Sequence, residues 1–193
     1  EREGIESLIS RYGADHKIPI TEAKSAAPKN WREASALLIA NPPNLKNEFF
    51  GNTPVAMSKA HMEHLLKRNA SREKNAAMAS LDELFSAAVA FERTSRKDER
   101  NVSRIVKMYA PFKMNENLYA VELTVKDIKN PPQGNSLYHA EVEEIRIGAI
   151  GTATAEADAL IESASPITLD QFLGVASRDA DTRFSISPEQ DAA

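Results

Sequence analysis

The spacing of apolar residues changes near residue 101, and the change divides the chain into a helical part and a stranded part. Before it, Ile5, Leu8, Ile9 and Tyr12 fall on one helical face, a pattern too short to stand without a docking surface. "WREASALLIA" (31–40) is largely apolar and fits helix or strand until "NPPN" breaks it. "EFFGNTPVAMS" (48–58) reads as two short strands turning at Gly51 and Asn52. Met62, Leu65 and Leu66 then give one face of a helix opening at Ser58. Leu81, Leu84, Phe85, Ala88 and Val89 give another, opened by a capping box of Ser80 and Glu83. After "ERTSRKDERN" the period becomes two. "VSRIVKMYAPFKM" (102–114), "NLYAVELTVKDI" (117–128) and "SLYHAEVEEIRI" (136–147) read as strands, joined by "NEN" and "NPPQGN".

Connections this short exclude parallel crossovers and imply an antiparallel meander with one face under the helices. The expected fold is therefore α+β, with leading helices packed on a small antiparallel β-sheet of three to five strands. Residues 1–30 form an N-terminal helical lead, 31–150 the α+β core, and 151–193 a short helix followed by a linker or tail. Thr168 and Gln171 are a capping pair for that last helix. The opening lacks both a methionine and the apolar stretch of a signal peptide, so it reads as the interior of a longer polypeptide.

Composition narrows the chemistry. The 193 residues hold no cysteine, which removes disulfides, thiolate metal sites and cysteine nucleophiles and fits a cytoplasmic setting. No apolar run approaches the roughly 20 residues of a membrane span. Net charge is −4, yet the charge is uneven. Lys59 to Lys113 carries 12 Lys and Arg against 7 Asp and Glu, while the rest carries 12 against 21. Local fields steer polyanions more than net charge does, so this basic island admits RNA as a partner or, equally, a solvated charged surface.

Two of the four histidines lie in that island. On a helix, His61, His64, Arg68 and Arg72 fall within about 80° of one another, at the border of the face that Met62, Leu65 and Leu66 bury. Metal-independent cleavage of RNA needs a base for the 2′-hydroxyl, an acid for the leaving oxygen and cations for the phosphorane charge. Histidine titrates near neutrality and suits the first two roles. The catalytic candidates are His61, His64 and, on the third strand beside Glu141, His139. Arg68, Arg72, Arg93, Arg96 and Lys97 are the phosphate-binding candidates. Packing against the sheet is the simpler use of one histidine, and solvation of the other. No carboxylate stands ready to share a metal with the pair, because Glu63 points away. His16 falls in a loop and carries no signal. Glycine-rich phosphate loops, zinc-helix motifs and nucleophile elbows are absent, and no cofactor is implied.

The run "GNTPVAMSKAHMEHLLKR", the helix after it, "VKMYAPFKMNENLYAVELTVKDI" and "LYHAEVEEI" together resemble the large polyvalent protein-associated domains of phages and conjugative elements. The same order, helices and then a small antiparallel sheet, resembles the phage branch of the Barnase–EndoU–colicin–RelE nuclease fold. "TRFSISPEQ" (182–190) looks like a junction between modules of such proteins. The resemblance spans about residues 35–147. It implies a ribonuclease-like module among neighbouring domains of a longer polypeptide, packaged in a virion and delivered into a host cell, with His61 or His64 matching that fold's helix histidine. The remaining active-site positions find no match. A non-catalytic interaction or nucleic-acid-binding module is the alternative, and an ADP-ribosyl-transferring effector would need a cofactor-binding Arg and a catalytic Glu that the sequence does not single out.

Overall fold

The computed structural model describes residues 3–24, 27–51, 53–55, 57, 59–68, 70–93, 102–128, 140–149 and 166–177. Six helices and seven strands follow within these residues. They are α1 (Glu3–Tyr12), β1 (Lys17–Ile18), β2 (Thr21–Glu22), α2 (Trp31–Ala40), α3 (Lys59–Lys67), α4 (Arg72–Ala79) and α5 (Leu81–Ala87). After these come β3 (Val89–Arg93), β4 (Val102–Met114), β5 (Asn117–Ile128), β6 (Ala140–Ala149), β7 (Ile167–Thr168) and α6 (Leu169–Ser177). The fold is α+β, as the change of period implies.

Strands β3 to β6 pair antiparallel in chain order, and β4 and β5 stay in register from Arg104↔Asp127 to Met114↔Asn117. Asn115 takes a left-handed conformation in their connection (φ 53°), which asparagine tolerates better than most residues. The 13-residue β4 is long enough to host two partners on one edge. Strand β3 pairs antiparallel with Ile105–Tyr109, and β2 pairs parallel with Phe112 and Lys113.

Period-two alternation gives this sheet two faces. Val106, Met108, Ala110, Phe112, Val121, Leu123 and Val125 point to the first, under α2 to α5. Tyr109, Leu118 and Ala120 point to the second and pack with Leu8 of α1, Ile18 of β1 and Phe172 and Leu173 of α6. Both faces are therefore covered, whereas the sequence led us to expect helices on one. The second cover is stitched together from the two chain flanks. Ile18 pairs with Ile167, the Leu169 N–H donates to the His16 carbonyl (2.7 Å), and the Asp170 N–H donates to that of Ala14 (3.0 Å). Helix α1 lies so close to β3 that a Cβ at Gly4 would stand 2.9 Å from the Phe91 ring.

Local chemistry explains the boundaries. The Asn30 side chain accepts from the Arg32 and Glu33 N–H groups and starts α2, settling the ambiguous 31–40 run as helix. Thr168 and Gln171 form the expected reciprocal cap, at 2.9 and 3.1 Å. The expected capping box at Ser80 does not form. Its N–H donates to Ala77 and Met78 carbonyls to close α4, and its hydroxyl makes no cap bond. The expected strand pair at 48–58 is also absent among the described residues. Glu48–Phe50 is a 3₁₀ turn ended by left-handed Gly51, and one isolated bridge joins Leu45 to Val55. Asn47 is the cause. Buried at 4% exposure, it accepts from the Phe49 N–H and donates to the carbonyls of Phe85 and Ala88. Those two bonds also occupy carbonyls at the end of α5, so the helix stops at Ala87, two residues before the apolar spacing ends, and Val89 begins β3.

Candidate functional site

Helix α3 buries Met62, Leu65 and Leu66 and leaves His64 exposed. It packs against α2, α4 and the edge strand β6. His61 lies on the same helix. Arg68 is exposed just past its end, with its N–H donating to the His64 carbonyl (3.1 Å). The helical stripe stops there. Ser71 breaks the path, caps the next helix by accepting the Lys74 N–H, and makes Arg72 the first residue of α4. Arg72 therefore leaves the histidine face and lines a separate pocket with Lys29. Arg93 ends β3 and is half-buried. His139, Arg96 and Lys97 lie outside the described residues.

Lys74 ties this corner to the sheet. Its ammonium is buried and donates to the Arg68 carbonyl. Burial holds its pKa below the ordinary lysine value, the Arg68 charge lowers it further, and the Glu144 charge on β6 opposes both. The end of α3 and the edge of β6 thus share one electrostatic neighbourhood.

A row of charge that the linear sequence did not single out crosses the second sheet face. Register sets Lys107 opposite Thr124, and Glu122 opposite both Tyr109 and Arg146. The Lys107 ammonium is 3.5 Å from a Glu122 carboxylate oxygen and donates to the Thr124 hydroxyl at 3.0 Å. Arg146 approaches that Glu122 oxygen at 3.8 Å and Glu144 at 3.9 Å. Lys107, Glu122 and Thr124 are buried, at 3–4% exposure, while Arg146 and Glu144 are partly open at the edge. The Glu122 carboxylate lies between two cations, so the row grades from a buried ion pair to accessible charge at β6. Glu122 and Thr124 alternate with apolar residues along β5, but only strand register brings them to Lys107 and Arg146.

His16 also has a setting that the sequence did not suggest. With Tyr12, Lys17, Ile20, Glu48 and Asp82 it lines a cleft of about 620 Å³ between the α1 flank and α5. Its ring lies 5.0 Å from that of Tyr12. Among the described residues, no group of three or more His, Asp and Glu is arranged to hold a metal ion. No helix among them is long and apolar enough to cross a membrane.

These elements define an α+β module: helices over one face of an antiparallel meander, a charged row on the other, and exposed cations where α3 meets the sheet edge. The family model for large polyvalent protein-associated domain 3 matches residues 28–138, more than half of the chain, and the chain belongs to that family of phage and conjugative-element proteins. No curated protein and no solved structure matches it. The matched span runs from just before α2 to just before β6. The two flanks that cover the second face lie beyond it.

Proposed function

We propose that this domain is a ribonuclease-like module of a larger polyvalent protein and cleaves RNA without a metal by histidine acid–base chemistry. One observation carries the reading: the histidine helix packs against β6, the strand that brings Glu144 and Arg146 to the sheet edge. Exposed Arg68 follows that helix, and the charges of Arg68 and Glu144 meet at Lys74. One histidine of the His61–His64 pair takes the 2′-hydroxyl proton, and the resulting oxygen attacks phosphorus. The other protonates the departing 5′-oxygen, leaving a cyclic phosphate. His139 is a third candidate for either proton transfer. Arg68, with Arg72, Arg93, Arg96 and Lys97, attracts the phosphates and stabilises the added charge at phosphorus.

Incubating the purified chain with total RNA in EDTA tests the proposal. Cleavage is expected, with loss of at least about 100-fold in rate in the His61→Ala/His64→Ala double variant. Intact RNA with the wild type, or equal cleavage by the variant, rules the mechanism out.

A second reading has its own support. Glu122 is already paired with Lys107 and Arg146, which is a structural use of the row, and the chain's own flanks cover that face. An interaction module among neighbouring domains, with or without nucleic-acid binding, needs nothing more. It predicts no turnover, and any nucleic-acid binding falls steeply with salt.

A further inference from the structure

Lys29 and Arg72 come from different elements, one preceding α2 and one opening α4, and both are exposed. They line one pocket of about 280 Å³ together with Ala27, Pro28 and Met114. The arrangement differs from that of the cations held in ion pairs on the sheet and along α3. Lys67, Arg104, Lys107, Lys113 and Arg146 each face a carboxylate, and Lys74 is bound to a carbonyl. The side chains of Lys29 and Arg72 pair with no carboxylate among the described residues, and no carboxylate lines their pocket. Glu33 is engaged by the Lys29 backbone N–H (2.9 Å), and the Glu73 charge acts on Tyr119, where it helps burial to raise the hydroxyl's pKa.

Two uncompensated cations across a small recess favour an anion, and the guanidinium fork suits phosphate geometry. The pocket has room for several waters at about 30 Å³ each, which is the scale of a phosphate group with its hydration. Ala27, Pro28 and Met114 supply an apolar wall against which a sugar can rest. We propose that Lys29 and Arg72 form a phosphate subsite for the backbone of single-stranded RNA, displaced from the histidine face by the break at Ser71. The assignment of RNA as the source of the phosphate rests on the function proposed above; the subsite itself rests on the pocket.

The test has two arms on the full chain. In the first, inorganic phosphate is titrated while the Met114 methyl is followed by NMR. The methyl signal shifts saturably in the wild type and not in Lys29→Ala/Arg72→Ala, and an unmoved wild-type signal overturns the subsite. In the second, anisotropy of a labelled single-stranded RNA is measured across salt. Losing one phosphate contact lowers the magnitude of the log K against log salt slope by about 0.7, and Arg72→Lys, which keeps the charge, restores most of it. RNA binding with an unchanged slope in the double variant overturns the subsite and spares the RNA reading. A phosphate response without RNA binding supports the subsite and overturns RNA as its ligand.

Discussion

The two faces of the sheet are built from alternate residues of the same strands and solve burial differently. The first is apolar throughout, with Phe112, Val121 and Leu123 packed under α2 to α5. The second begins apolar at Leu118 and Ala120, turns ionic two residues later at Glu122, and stays polar at Thr124. A side chain on the first face is held by contact area, at about 25 cal/mol per Å². Glu122 is held by two cations whose own desolvation must be offset. The second face retains charge where a plain scaffold would place leucine.

The largest expected effect breaks the second face. Glu122→Ala leaves Lys107 and Arg146 buried or half-buried beside each other and costs about 3–5 kcal/mol in urea melts. Replacing all three together, by Lys107→Met, Glu122→Leu and Arg146→Met, costs far less. If the single and triple changes destabilise equally, the row is not an ion-pair unit. Next is Asn47→Ala, which strands the Phe85 and Ala88 carbonyls and costs about 2–3 kcal/mol by the same measurement. Ser71→Ala removes one helix cap and costs about 1 kcal/mol.

The smallest effect is a pH dependence. Lys74 has a folded pKa below its unfolded value, so folding disfavours its proton. The penalty is full below the folded value and is relieved as pH rises from there toward the ordinary lysine value of 10.5. Wild type should therefore gain stability relative to Lys74→Met as pH rises toward 10.5. A constant difference would show that Lys74 keeps an ordinary pKa.

The fold was legible wherever one residue pattern admitted one structure. Strict alternation gave β4 and β5, and the paired side chains of Thr168 and Gln171 gave the last helix its start. It was illegible where a distant partner decided. Asn47 acts on carbonyls 38 and 41 residues away, so neither the turn at 48–50 nor the early end of α5 can be read locally. The site divides the same way. Periodicity brought His61, His64 and Arg68 to notice, because they share one helix face. Lys107, Glu122 and Arg146 meet only through strand register, and Lys29 meets Arg72 only because Ser71 redirects the chain.

The central claim is that a histidine removes a 2′-hydroxyl proton. Its most direct test compares an RNA oligonucleotide with the same sequence fully 2′-deoxy, each incubated with the chain in EDTA. The account predicts cleavage of the RNA to a 2′,3′-cyclic phosphate end, an intact deoxy strand, and loss of cleavage in His61→Ala/His64→Ala. An uncut RNA, or equal cutting of both strands, contradicts it.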